Sequence, residues 1–120
     1  MKAVVAREWC DPEGLTIEEI PAPKLHDGEV LIDVRSAALN FPDVLMIKGA
    51  YQVKPDLPFT PGFELAGTVA EVGAGADGFE PGMRVMAQTT LGAFAEQAVA
   101  PCVTVHPVPD GMNDDEAAAF

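Results

Sequence analysis

The chain has 120 residues, enough for one domain with its own core and no staples. Its seven basic residues stand against nineteen acidic ones, a net charge of −12 that repels phosphate backbones and anionic lipid and argues against nucleic acid or a membrane as partner. No apolar run approaches a membrane span, and MKAVVAREWC carries Arg7 and Glu8 too early for a signal peptide, so a cytoplasmic location is expected.

The pattern is one of short strands separated by Gly/Pro turns. Met1 to Glu8 and Leu15 to Ile20 read as a strand pair joined through Asp11-Pro12-Glu13-Gly14. Glu29 to Leu39 is the clearest strand, with Val30, Ile32 and Val34 on one face, Glu29, Asp33 and Arg35 on the other, and Leu31 an exception. Asn40 then caps a short helix, Pro42 sits where a missing N–H costs least, Asp43 lies at the positive end of the dipole, and Gly49 offers a left-handed stop.

Phe63 to Val72 is a second long strand, and Gly67 inside it marks a close approach of backbone or ligand. Arg84 to Ala87, Ala93 to Ala100 and Val103 to Val105 complete roughly seven strands, the spacing of a barrel or sandwich. Gly73, Gly75 and Gly78 match the letters G-x-G-x-x-G. The following Phe79-Glu80-Pro81-Gly82 cannot open a helix, so the match reads as a surface turn and not as a dinucleotide fingerprint. From Pro61 onward Arg84 is the one basic residue, facing Glu64, Glu71, Asp77, Glu80, Glu96, Asp110, Asp114, Asp115 and Glu116.

Asn113-Asp114-Asp115-Glu116 is a helix start with a cap and the acid that closes a capping box. Ala117 to Phe120 then begins a helix too short to stand alone in water. The expected organisation is a domain over 1–112, with 113–120 opening a helix that leads to a cofactor-binding domain outside this chain. Cys10 and Cys102 show neither a disulfide framework nor metal spacing and read as free thiols in a reducing compartment. His26 and His106 stand isolated, with structural roles expected.

Five segments carry a family resemblance: Asn40-Phe41-Pro42-Asp43, Gly49-Ala50-Tyr51, Gly62-Phe63-Glu64-Leu65-Ala66-Gly67-Thr68-Val69, Gly82-Met83-Arg84-Val85 and Gly92-Ala93-Phe94-Ala95-Glu96. In this order they resemble the N-terminal, GroES-like catalytic domain of the medium-chain dehydrogenase/reductase superfamily, in its zinc-free NADPH:quinone oxidoreductase (zeta-crystallin-like) branch. The resemblance implies a mainly β fold, a partly open barrel with one or two short helices, lacking the Rossmann domain of a full-length enzyme. Zinc-dependent members carry a Cys three residues before an Asp, and then Gly-His-Glu. Here Asn40 precedes Asp43, and Gly62-Phe63-Glu64 replaces the second motif. Asn is a poor zinc ligand and Phe is none, so no metal site is expected.

Without a metal to polarise an alcohol, the expected reaction is hydride transfer from NADPH to a quinone or an α,β-unsaturated carbonyl. By resemblance, Asn40 and Asp43 are the catalytic residues, with Asn40 facing the acceptor. Phe41, Pro42, Asp43, Val44, Leu45 and Tyr51 would lie along the cofactor, and a full-length enzyme would be a homodimer. Helix capping explains Asn40 and Asp43 as well as chemistry does, and the two roles are compatible. Glu64 is expected to hydrogen-bond structurally, to Arg84. Close relatives often carry Tyr where Leu45 stands, which removes any role for a phenol there. Alternatives are an enoyl-CoA-type reductase domain and a non-catalytic GroES-like binding or structural module.

Overall fold

The computed structural model describes residues 1–120. Lys2–Val5 (β1) and Thr16–Glu19 (β2) pair antiparallel, and a single 3-10 turn at Pro12–Gly14 lies between them. Glu29–Ala38 (β3) is the longest strand, and Phe41–Ile47 (α1) follows it. Glu64–Val72 (β4), Arg84–Gln88 (β5), Gln97–Pro101 (β6) and Val105–Pro107 (β7) complete seven strands, and Asp114–Ala118 (α2) closes the described chain. The last two strands begin later than the sequence predicts: Ala95 makes only an isolated bridge to Ala3, and Cys102–Thr104 turns as a 3-10 helix.

Five strands form one antiparallel sheet in the order β6-β3-β4-β5-β7, which curls into a half-barrel. Two irregularities in the β3–β4 register, at Leu31/Ile32 and at Val34/Ser36, bend the central pair. The first explains the break in alternation, since Val30, Leu31 and Ile32 are all buried. The inner face packs Val30, Ile32, Leu65, Val69, Val85 and Val105 with small alanines between them. No helix is long and apolar enough to cross a membrane.

Gly67 sits opposite Val34, and a Cβ there would overlap the Asp33 carbonyl. The close approach expected of Gly67 is therefore backbone on backbone. Gly73 to Gly78 turns between β4 and β5 without opening a helix, so the G-x-G-x-x-G letters mark a loop.

A second, smaller core joins Ala6, Met46, Ile47 and Phe59, with Leu15, Tyr51, Phe63 and Leu91 around it. Trp9 packs over this end of α1: its ring centroid is 6.1 Å from that of Phe59, and a Cβ on Gly49 would lie 3.0 Å from its Cδ2. Gly49 ends the helix at φ +72°, the left-handed stop that its position predicts. On the far side of the sheet, Ala117 and Ala118 of α2 bury against Ala66. Five residues cannot hold a helix by propensity, so docking does. Asn113 and Glu116 close the capping box, Ser36 Oγ donates to Asp115 (2.8 Å), and Arg84 donates to Asp114 (3.0 Å) and the Met112 carbonyl (2.9 Å). Arg84 is thus committed to the α2 side, and the expected Glu64–Arg84 bond does not form.

Gly67→Ala forces β3 and β4 apart and costs about 3 kcal/mol. Gly78→Ala, strained only by its backbone at φ +90° with open space around it, costs about 1–2 kcal/mol. Urea midpoints of the two variants should rank in that order.

Candidate active site

Helix geometry builds the site. Asp43, Met46 and Ile47 share one face of α1 at i, i+3 and i+4, so seating the two apolar residues in the smaller core also buries the carboxylate. Asp43 is 2 % exposed. Its Oδ2 accepts the Asn40 backbone N–H at 2.8 Å, the acid half of a capping box that holds Asn40 extended at φ −123°, ψ 159°. Its Oδ1 is buried with no hydrogen-bond partner. Burial pushes the Asp43 carboxyl above the ordinary carboxylate range, the Asn40 N–H opposes this, the nearby Glu64 charge adds to it, and the Gly62 N–H opposes it again.

The opposite wall comes from the turn into β4. Gly62 has φ +114°, and a Cβ there would lie 2.7 Å from Ala93 Cβ and 2.8 Å from Phe94 Cδ1, so only glycine fits. This turn brings Phe63 and Glu64 to the mouth of the barrel. Asn40 Nδ2 donates to Glu64 Oε2 at 3.1 Å, and the Tyr51 ring meets Phe63 edge to face with centroids 6.3 Å apart. Asn40, Pro42, Tyr51, Phe63 and Glu64 line a cleft of about 330 Å³, closed by Gln88 and Thr89 at the end of β5.

Of the residues singled out from sequence, Asn40, Pro42 and Tyr51 meet at this cleft. Asp43 lies beneath it and acts through the Asn40 backbone, Leu45 is half-buried outside the lining, and Phe41 is 73 % exposed. Phe63 stands where the second zinc motif carries its His, whereas Gln88 and Thr89 were not expected there. Their signal is strand pairing, with Glu64 opposite Gln88 and the Thr89 N–H on the Phe63 carbonyl (2.8 Å), which periodicity does not carry. A larger cavity of about 450 Å³ adjoins along the same wall, sharing Glu64 and Gln88 and reaching Thr104, His106 and Phe120.

No group of three His, Cys, Asp or Glu residues is placed to hold a metal ion. His26 pairs with Glu29 at 3.1 Å, and His106 is an exposed residue of β7. Both cysteines are free and half-buried, and burial, helped by Glu8 and Asp11, pushes the Cys10 thiol up. A flat, amide-bearing ring such as nicotinamide fits a cleft with two aromatic rings and amide donors. Its phosphates do not fit the same walls, since no Lys or Arg lines either cavity.

Residues 26–110 match the alcohol dehydrogenase GroES-like domain. The chain belongs to that family. The mouse (Mus musculus) synaptic vesicle membrane protein VAT-1 homolog-like is 38% identical over 120 residues, covering all of this chain and 29% of its own length. The mouse quinone oxidoreductase is 36% identical over 124 residues, covering all of this chain and 37% of its own. The structure of Escherichia coli quinone oxidoreductase complexed with NADPH superposes with a TM-score of 0.93 at 27% identity, over 99% of this chain and 36% of that one. This GroES-like chain therefore spans about a third of the length of those relatives, and it has the mainly β fold and the place within the medium-chain superfamily that its motifs imply.

Because the Asp43 carboxyl is raised in the folded chain, it supplies stability below its ordinary value near 3.8 that is lost as pH rises through the folded value. The Asp43→Asn variant lacks this loss. Its stability relative to the parent, measured by urea unfolding, should improve as pH rises above 3.8, the ordinary carboxyl value.

Proposed function

We propose that this chain is the acceptor-side domain of an NADPH-dependent oxidoreductase that transfers hydride, without zinc, to a quinone or an α,β-unsaturated carbonyl. The observation that carries the reading is the Asn40 amide, held at the cleft by Asp43 on its backbone side and Glu64 on its side-chain side. The likeness to quinone oxidoreductases, one of them crystallised with NADPH, supports it. The absence of imidazole and thiol at positions 40 and 63 supports the zinc-independent form.

Bound NADPH would supply a hydride. The residues of this chain do the rest. Tyr51 and Phe63 form an aromatic side against which a planar acceptor can lie, and Pro42 bounds the helix end of the cleft. As the acceptor gains an electron pair, negative charge develops on its carbonyl oxygen, and an N–H of Asn40 stabilises that charge. A proton from water then completes the reduction, at the oxyanion to give the hydroquinone or at the α-carbon of the enolate to give the saturated ketone. Asp43 contributes by locking the Asn40 backbone rather than by touching the acceptor.

Neither cavity offers a cation for the cofactor's phosphates, so their binding belongs to another domain, and α2 is the proposed connection to it. The 120-residue chain alone should oxidise no NADPH in the presence of duroquinone. Exchanged for the corresponding domain of the mouse quinone oxidoreductase, it should restore steady absorbance loss at 340 nm (the NADPH band). Asn40→Ala in that exchange should lower kcat about a hundredfold. Turnover by the lone chain, or none after a folded exchange, would count against the reading.

A further inference from the structure

We propose that Glu64 positions the Asn40 amide, turning it so that the cleft meets an N–H and not a carbonyl oxygen, and that the site thereby takes a neutral carbonyl acceptor. The inference deepens the function proposed above and rests on it for the identity of the acceptor.

A primary amide has two ends of nearly equal shape and opposite polarity, and its partners decide which end points where. Three constraints act on Asn40. Its backbone is fixed by the Asp43 carboxylate at 2.8 Å, which leaves only side-chain torsions free. Its neighbour across the cleft wall is a carboxylate, which accepts and does not donate, so the amide nitrogen must turn toward Glu64, 3.1 Å away. Glu64 is itself held between strands, paired in register with Ala38 of β3 and Gln88 of β5, just beyond the turn that Gly62 makes possible.

The nitrogen carries two hydrogens, and Glu64 uses one. The second remains for a ligand. Thr89 cannot take its place, because its hydroxyl already faces the Leu91 and Val99 carbonyls, each at 3.2 Å. Asn40 is thus the donor whose orientation is already set before any ligand arrives, which spares its ordering cost on binding.

Charge narrows the acceptor further. Glu64 lies in the wall shared by both cavities, and no Lys or Arg offsets it in either one. An acceptor bearing its own carboxylate, sulfonate or phosphate beside the carbonyl meets only repulsion there. A neutral quinone or enone does not.

Nuclear magnetic resonance on the 120-residue chain tests the orientation without turnover. In the parent protein the two Asn40 Nδ2 protons should be resolved, one protected from exchange with water and the other not. Glu64→Leu should abolish that difference. Should that variant unfold, a polarity exchange takes its place. Asn40→Asp alone sets a third carboxylate beside Asp43 and Glu64 and should lower the melting temperature by about 5 °C. Adding Glu64→Gln supplies an amide donor to the new carboxylate and should restore most of the loss.

Duroquinone, which has no ring C–H for the two thiols to add to, should shift the unprotected Asn40 proton. Anthraquinone-2-sulfonate should bind at least tenfold more weakly. Equal exchange of both Asn40 protons in the parent would overturn the assignment, as would a signature unchanged by Glu64→Leu, a double variant no more stable than Asn40→Asp, or equal affinity for the sulfonate. If the orientation signature holds and neither duroquinone nor cyclohexenone shifts the free proton, the orienting role of Glu64 stands and the quinone or enone reading falls.

Discussion

Asp43 lies on the helical face that carries Met46 and Ile47, so burying that face beneath Ala6 and Phe59 also buries a carboxylate. The Asn40 side of the cleft follows from this constraint. One Asp43 oxygen accepts the Asn40 N–H and fixes where the helix starts; the other is buried without a hydrogen-bond partner. Such a group is costly to keep, and its raised protonation range is the visible result. The cost is repaid in geometry, since a helix of seven residues has little power of its own to hold an amide in one place.

The cleft is made where two differently built cores meet. The half-barrel supplies a rigid wall through the β3–β4 pair, whose backbones approach so closely at Gly67 that no side chain fits. The smaller core supplies α1 and the aromatic pair Tyr51–Phe63. Gly62 joins them, because its positive φ lets the chain leave the loop and enter β4 with Glu64 facing Asn40.

Much of this was legible in the chain itself. Strand alternation, the Gly/Pro turns, the Asn40 cap and the Asn113–Glu116 capping box predict the seven strands and both helices, because these signals are local and each element obeys its own period. Asn40, Pro42 and Tyr51 were found through motif likeness and do meet in space. The misses share a cause. Gln88 and Thr89 reach the cleft only through the β4–β5 register, and Arg84 was paired with the wrong acid because α2, a helix too short to trust from sequence, docks on the outer face and takes it. The sequence places Asp43 at the helix start without showing its burial, which depends on the tertiary seat of Met46 and Ile47. The late starts of β6 and β7 reflect residues that bridge or turn before the ladder forms, a distinction that propensity does not make.

Trp9 is the single tryptophan of the chain, and it rests on Gly49 and Phe59 with the Lys54 ammonium 5.9 Å from its ring. It rests against the end of α1 and beside the smaller core. The molecule therefore carries its own optical reporter, placed where an indole's emission responds to loosening of α1 while the sheet stays intact. Local release of the cleft and global loss of the fold become separable in one fluorescence trace, with no label attached.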